Sequence, residues 1–317
     1  MAAAIRRHAP DARITWLVEE REQILLHDNP VVDEVVVVPL RQWRRSLAGA
    51  VGAFRALRRR LRATPIDALL DVQGLFDRTV LARLLTGAPV RIGFSRSHAR
   101  DAWSPLVTNR HVTPPPEARH IVDQNLRLLL PLGIEAREPA EFPLPAFADG
   151  DARAGAWLAA QGIGPQHRLA VLLPSTRRAS KFWPAASFRE LGRRLLSAPD
   201  TRLLILGGPG EEALLEEVRA GLPTELAFVW APAPIPDLVG VLRRAHLAIG
   251  NDTGPLHIAA ASGVPSVGLF GPTQGARNGP YGRHCGYVQS PTGNMTDISV
   301  DDVWTAAIRI PDRKTPA

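Results

Sequence analysis

The sequence predicts an α/β protein with two doubly wound domains that face a cleft. Short apolar runs alternate with longer amphipathic segments along both halves of the 317 residues. Glycine and proline clusters separate these segments, and the chain is long enough for two domains with separate cores. Ligands in such folds bind outside the carboxyl ends of the parallel strands, so polar residues that follow the apolar runs are the candidate site residues.

The first half, predicted as a domain over residues 1–138, alternates from its start. Apolar runs predict four strands, at 13–18, 35–38, 68–72 and 90–94. Amphipathic periodicity predicts four helices, at 1–9, 41–62, 75–85 and 117–130. Residues 98–113 are polar and are predicted as a loop.

A proline-rich stretch at 139–151 is the predicted linker, and the alternation resumes after it. The second domain is predicted over 152–298, with strands at 169–173, 203–206, 227–229, 247–249 and 266–270. Its helices are predicted at 152–160, 185–196, 211–220, 235–244 and 256–261. Residues 299–317 are predicted as a C-terminal helix, at 300–310, and a tail.

The composition is that of a globular protein, with 45% hydrophobic and 22% charged residues. No apolar run approaches the ~20 residues that a membrane-spanning helix needs, and the start lacks the apolar core of a signal peptide. The single cysteine, Cys285, excludes an intramolecular disulfide. These features predict a cytoplasmic protein.

Positive charge is carried almost entirely by arginine. The formal net charge is +7, from 38 basic and 31 acidic residues, and only Lys181 and Lys314 are lysines. A compact ammonium suits phosphate, which makes Lys181 a candidate phosphate ligand, although chance is the alternative. The basic helix at 41–62 favours an acidic partner over a merely solvated face. Its apolar stripe, Trp43, Leu47, Val51, Phe54 and Leu57, is predicted to be core.

The stretch 250–265 is the most informative, because an acid, a hydroxyl, a glycine and a histidine follow the strand at 247–249. Asp252 or Thr253 stands where a helix N-cap belongs, and the free amides of that helix end attract phosphate. Asp252 would repel a bare phosphate, so it fits sugar hydroxyls beside a phosphate. The alternative is an ordinary capped helix with a satisfied His257.

Two further strand-to-helix turns are candidates. The loop 174–184 carries Thr176 and Lys181, which can both reach an anion; a basic surface loop is the alternative. The turn 207–212 brings glycines and Glu211 to the start of a helix, where the backbone can approach a ligand. A tight turn without a ligand explains this second pattern equally well.

With these motifs placed, the chain resembles glycosyltransferase family 9, the ADP-heptose:lipopolysaccharide heptosyltransferases. The resemblance spans most of the chain and is carried by residues 16–20, 41–45, 67–75, 176–184, 252–257 and 271–273. It implies a GT-B fold of two Rossmann-like domains and inversion at the anomeric carbon, without a metal or another cofactor. It also implies an ADP-heptose donor and an anionic Kdo-lipid A-type acceptor, with peripheral contact at the inner membrane.

The resemblance also implies roles for single residues. Thr176 and Lys181 match the diphosphate contacts, and Glu211 matches the acid that contacts the nucleoside. Asp252 matches the acid on the sugar. Thr253, Gly254 and His257 match positions around the diphosphate. Four positions match acceptor-binding residues: Arg41, Arg44, Arg45 and Arg100.

One feature of the family is not matched. Its members open with a strand, a loop with glycine and aspartate, and a helix, and that aspartate is the proposed general base. Residues 1–8 match the middle of that helix, so we expect the base to be absent and the first sheet to lack a central strand. A remnant that only binds nucleotide-sugar, a GT-B transferase with another sugar, and a nucleic-acid-binding protein remain the alternatives. No nucleic-acid-binding module matches, which disfavours the last.

Overall fold

The structure, a computed structural model, describes residues 1–20, 23–45, 47–136 and 140–311, with only the backbone at 41, 44, 45, 47 and 48. The chain forms two compact units, Met1–Pro145 and Ala146–Ala317. This division lies inside the stretch 139–151 that was predicted as a linker. Within the described residues, every helix is too short or too polar to cross a membrane.

The first unit alternates helices and strands as predicted. Its helices are α1 (Ala2–His8), α2 (Leu40–Arg45), α3 (Leu47–Arg62), α4 (Phe76–Thr86) and α5 (Ile121–Arg127). Its strands are β1 (Thr15–Val18), β2 (Glu34–Val37), β3 (Ala68–Leu70), β4 (Val90–Phe94) and β5 (Arg110–Val112). The helix predicted over 41–62 corresponds to α2 and α3, which lie on either side of residue 46, and that residue is outside the described part. The predicted loop at 98–113 contains β5 and a 3-10 turn, Ser104–Leu106.

The strands of the first unit form two parallel sheets, β1-β2 and β3-β4-β5. In a continuous doubly wound sheet the first and third of these strands would lie on either side of a central strand. Here β1 and β3 do not pair with each other, and each has one edge without a strand partner among the described residues. The described strands of this unit therefore do not form one continuous sheet.

The apolar stripe of the basic segment 41–62 packs mostly into the core, as predicted. Trp43, Phe54 and Leu57 contact a cluster that contains the buried Val36 and Leu85. Val51 is the exception and is 51% exposed, while the side chain of Leu47 lies outside the described part. Burial of this stripe holds α2 and α3 against β2 and leaves the arginines of α3 on the surface.

The second unit contains one parallel sheet with helices on its faces. Its strands are β6 (Arg168–Leu173), β7 (Thr201–Leu206), β8 (Ala227–Trp230), β9 (Leu247–Asn251), β10 (Ser266–Phe270) and β11 (Cys285–Gln289). Its helices are α6 (Ala148–Ala160), α7 (Ala185–Leu195), α8 (Glu212–Arg219), α9 (Ile235–Arg244), α10 (Gly254–Ala261), α11 (Gly275–Asn278) and α12 (Val300–Arg309). Val303 and Ala307 of α12 are buried in the core of this unit, so the C-terminal helix predicted as a separate segment is part of it.

The strand order β11-β10-β9-β6-β7-β8 places a topological switch point between β6 and β9. From β6 the chain continues to β7 and β8 on one side and then returns to add β9, β10 and β11 on the other. The crossover loops therefore diverge outside the carboxyl ends of β6 and β9, which leaves a crevice there. The loop that carries Lys181 follows β6, and the turn that carries Asp252 follows β9.

A glycine allows β6 and β9 to approach each other closely at this end. Gly250 is paired with Leu173, and a Cβ at Gly250 would lie 2.5 Å from the Leu173 Cβ and 2.8 Å from its carbonyl oxygen. Gly250→Ala is therefore expected to lower the free energy of unfolding by about 1–3 kcal/mol through overpacking, as measured by denaturant titration.

Gly155→Ala is the matched control, because it lies on α6 of the same unit and its Cβ would meet only ordinary contacts at 3.5 Å. Alanine favours a helix interior by roughly 0.5–1 kcal/mol over glycine, so this variant is expected to be as stable as the wild type or more. Equal stability of Gly250→Ala and the wild type would contradict the close approach of the two strands.

Candidate functional site

Lys181 and Asp252 form an ion pair at the switch point. Lys181 ends a 3-10 turn, Ala179–Lys181, in the loop after β6, and Asp252 directly follows β9. The Lys181 Nζ lies 2.5 Å from the Asp252 Oδ2, and the side chains are only 17% and 12% exposed. The two residues are 71 positions apart in the chain, and the pairing of β6 with β9 brings them together.

Two further side chains surround the Asp252 carboxylate. The Thr273 hydroxyl, after β10, donates to Oδ2 at 2.9 Å, and the His257 Nε2 lies 3.7 Å from Oδ1. Burial alone would raise the pKa of Asp252, but the nearby His257 imidazole and the hydrogen bonds from Lys181 and Thr273 outweigh it and hold that pKa well below the ordinary value. Asp252 is therefore a carboxylate at neutral pH. Its contribution to stability is present above the ordinary carboxyl pKa and is lost as the pH falls below that value towards the lowered pKa.

The structure contradicts the capping role considered for Asp252 and Thr253. Thr253 does occupy the N-cap position of α10, but its side chain makes no capping hydrogen bond. Its Oγ1 is buried and has no hydrogen-bond partner among the described residues. Asp252 is turned instead to Lys181 and Thr273. The first turn of α10, which begins at the exposed Gly254, therefore lacks a side-chain cap and can hold an anion with its amides.

Asn251 connects the loop after β6 with the turn after β9, and the sequence analysis did not single it out. It is fully buried. Its Nδ2 donates to the Pro174 carbonyl at 2.6 Å, and its Oδ1 accepts from the backbone N–H of Trp183 at 3.3 Å. The Trp183 indole is itself buried and donates to the Ile298 carbonyl at 2.9 Å. The signal in the sequence was an amide at the end of an apolar strand, where a buried polar group needs partners.

The remaining residues predicted to bind the sugar-nucleotide donor lie on neighbouring loops of the same sheet edge. Thr176 is half-buried in the loop after β6 that Asn251 holds. Glu211 follows β7, the neighbour of β6, and its Oε2 accepts the Gly208 N–H at 2.6 Å. Part of the Glu211 carboxylate therefore stabilises its own glycine turn. That contact supports the tight-turn interpretation of this motif and occupies one of the two oxygens.

The acceptor candidates belong to the first unit. Arg41, Arg44 and Arg45 belong to α2, which begins just beyond the carboxyl end of β2. Their side chains lie outside the described part. Arg100 is exposed, and its backbone N–H lies beside Gly74, where the chain leaves the carboxyl end of β3. A Cβ at Gly74 would lie 3.1 Å from the Arg100 backbone nitrogen.

Two solved glycosyltransferase structures share this fold. The E. coli heptosyltransferase WaaC with ADP superposes with a TM-score of 0.78 and 24% identity over 98% of this chain and 93% of that chain. A family 9 glycosyl transferase from Veillonella parvula gives a TM-score of 0.79 at 20% identity, covering 98% and 91%. The fold is therefore GT-B, with two Rossmann-like units.

Sequence similarity is specific to the same group. The lipopolysaccharide heptosyltransferase 1 of Pseudomonas aeruginosa is 30% identical over 281 residues, 87% of this chain and 75% of that protein. The protein of the same name from Salmonella typhimurium is 30% identical over 301 residues, 93% and 90% of the two chains. The fold and the site at its switch point thus define a glycosyltransferase. Residues 54–306 match glycosyltransferase family 9 (heptosyltransferase), and the chain belongs to that family.

Proposed function

We propose that this protein transfers a heptose from ADP-heptose to a Kdo-lipid A-type acceptor in lipopolysaccharide core biosynthesis, with inversion at the anomeric carbon. The observation that carries the proposal is the Lys181–Asp252 pair beside the uncapped start of α10. This arrangement combines a carboxylate for sugar hydroxyls with a cation and free amides for a diphosphate. The names of the relatives supply heptose, ADP and lipopolysaccharide, and the family resemblance supplies the Kdo-lipid A-type acceptor.

The leaving group is the nucleoside diphosphate. As the bond from the anomeric carbon to the diphosphate breaks, negative charge develops on the departing oxygen. Lys181 and the amides at Thr253 and Gly254 are the groups that we assign to stabilise it, because they are fixed before the reaction begins. Thr176 and His257 are proposed to contact the same diphosphate, and Glu211 the nucleoside.

Asp252 has a different role. Its lowered pKa makes it a weak base, and Lys181 and Thr273 both hydrogen-bond to one of its oxygens. It therefore suits the binding of sugar hydroxyls rather than the removal of a proton. Transfer also requires a base for the proton of the acceptor hydroxyl. The Lys181–Asp252 pair is not suited to supply it, so transfer by this chain requires a base in another part of the protein and would correct the expectation that the base is absent.

The acceptor is proposed to bind through arginine. Arg41, Arg44, Arg45 and Arg100 would contact anionic groups of the acceptor, since guanidinium matches carboxylate and phosphate geometry. Because such an acceptor is anchored in a bilayer, we propose that the protein works in the cytoplasm at the surface of the inner membrane.

The test is a transfer assay with the purified chain. ADP release is expected with ADP-heptose and a Kdo-lipid A-type acceptor together, and the product should have the inverted anomeric configuration by NMR. UDP-N-acetylglucosamine in place of ADP-heptose is expected to release no nucleotide. Tight binding of ADP-heptose without transfer would contradict the transferase assignment, and transfer from the UDP-sugar would contradict the donor assignment.

A further inference from the structure

Four large apolar side chains of the first unit are exposed close together. Phe76 and Leu84 of α4 are 39% and 47% exposed, and Trp103 and Leu106 are 63% and 71% exposed. Single exposed apolar residues are ordinary on a protein surface. Several on adjoining elements form a contiguous patch, and such patches mark interaction sites.

The structure joins these four residues into one face. Phe76 and Leu84 are eight positions apart on α4 and so lie along one side of the helix. The 3-10 turn Ser104–Leu106 packs against α4. Asp101 connects the two elements, since its carboxylate accepts the backbone N–H of Phe76 at 3.3 Å and that of Trp103 at 3.0 Å. We refer to Phe76, Leu84, Trp103 and Leu106 as the apolar face.

A group of arginines adjoins this face. Arg55, Arg58, Arg59 and Arg62 of α3 line one depression of the surface, and α3 packs on α4. Arg62 donates to the carbonyl of Leu84 at 3.2 Å, which places the depression beside the apolar face. In the described part of the chain, Arg55, Arg58 and Arg59 have no acidic partner. We refer to these three as the basic rim.

The acids near the apolar face do not neutralise the rim. Asp101 is engaged with the two backbone N–H groups, and Asp77 lies beside Arg78, 3.7 Å from its guanidinium. Arg78 also pairs with Glu19 at 2.9 Å. An apolar centre with an excess of positive charge at its border is therefore presented to solvent.

We infer that the apolar face and the basic rim form the surface by which this protein docks on an anionic phospholipid bilayer. Aromatic and aliphatic side chains insert at the boundary between headgroups and acyl chains, while arginines beside them contact lipid phosphates. A nucleic acid would use the rim but would leave the apolar centre exposed. The inference rests on the proposed function in one respect, that a lipid-linked acceptor requires the enzyme at a membrane.

The apolar contribution is tested by co-sedimentation of the purified chain with vesicles. Wild type is expected to bind vesicles of equal parts phosphatidylcholine and phosphatidylglycerol, and to bind phosphatidylcholine alone weakly. Trp103→Ser combined with Leu106→Ser is expected to lower partitioning by ~10-fold or more, because both side chains would leave the interface. Ile308→Ser is the matched control, since Ile308 is also 63% exposed but lies on α12 of the second unit; it should bind like the wild type.

The electrostatic contribution is tested separately. Changing Arg55, Arg58 and Arg59 to Gln is expected to weaken binding by about fivefold for each arginine at low salt, and the difference should shrink as salt rises. The matched control carries the same change at three other exposed arginines of this unit, Arg110, Arg119 and Arg127.

Both sets of variants change exposed side chains, so their thermal unfolding should match that of the wild type. Transfer to a delipidated, water-soluble acceptor should also be unchanged in them. Wild-type-like vesicle binding by both sets, or binding of wild type to DNA in preference to anionic vesicles, would overturn the inference. Absence of transfer to the soluble acceptor by wild type, with vesicle binding intact, would count against the proposed function and not against this surface.

Discussion

Asp252→Ala is expected to lower the affinity for the sugar nucleotide by ~100-fold while the affinity for the free nucleoside diphosphate changes by less than about threefold. The carboxylate is proposed to accept hydrogen bonds from sugar hydroxyls, and each such charge-assisted bond contributes roughly 1.5–3 kcal/mol. Its removal also frees Lys181, which lies 2.5 Å away in the wild type, to contact the diphosphate. Calorimetry with ADP-heptose and with ADP measures the two affinities.

Asp149→Ala is a suitable control, because Asp149 is an exposed acid of the same unit on the first turn of α6. It should bind both ligands like the wild type. Equal losses of the two affinities in Asp252→Ala would mean that Asp252 supports the local structure and does not contact the sugar.

Lys181→Met is expected to reduce turnover or donor binding by ~10- to 100-fold, the effect of one charge-assisted contact of about 1.5–3 kcal/mol. Methionine keeps most of the length of the side chain and removes the ammonium that we assign to the departing diphosphate. The change also leaves the Asp252 carboxylate, 12% exposed, without its cation, so that an anion then faces the diphosphate. Initial rates of ADP release and ADP calorimetry separate the effect on turnover from the effect on binding.

Two comparisons make this result specific. Arg283→Ala removes an exposed cation of the same unit outside the switch point and should leave both measurements unchanged. Lys181→Arg tests the geometry, since a guanidinium is larger and planar and is expected not to restore full activity in a pocket that holds a compact ammonium. Full activity of Lys181→Met would show that the leaving group is stabilised elsewhere.

Much of the second unit was predictable from local pattern. The strand at 247–249, the break at Gly250 to Gly254 and the short helix after it follow from an apolar run, turn residues and Pro255, and the structure has β9 and α10 there. Such signals are local, because strand period, helix breaking and proline geometry act over a few residues. The loop with Thr176 and Lys181 was recognised on the same grounds.

The elements that were missed lack these signals. β5 has only three residues, two of them exposed, and β11 is half-exposed along most of its length. Edge strands of this kind have no continuous apolar run, and pairing with a neighbour stabilises them.

The sequence by itself determined the α/β alternation, the family and the residue types that each loop offers to a ligand. Only the tertiary structure decided which of these residues meet. Strand order places β6 beside β9, so the Lys181 side chain contacts Asp252, 71 positions away in the chain. Asn251 connects the two loops. Asp252 pairs with Lys181 and does not cap the helix, the role that its position in the sequence had suggested. The physical reason is that propensity and patterning act locally, whereas partners for buried polar groups are chosen by the packing of the whole sheet.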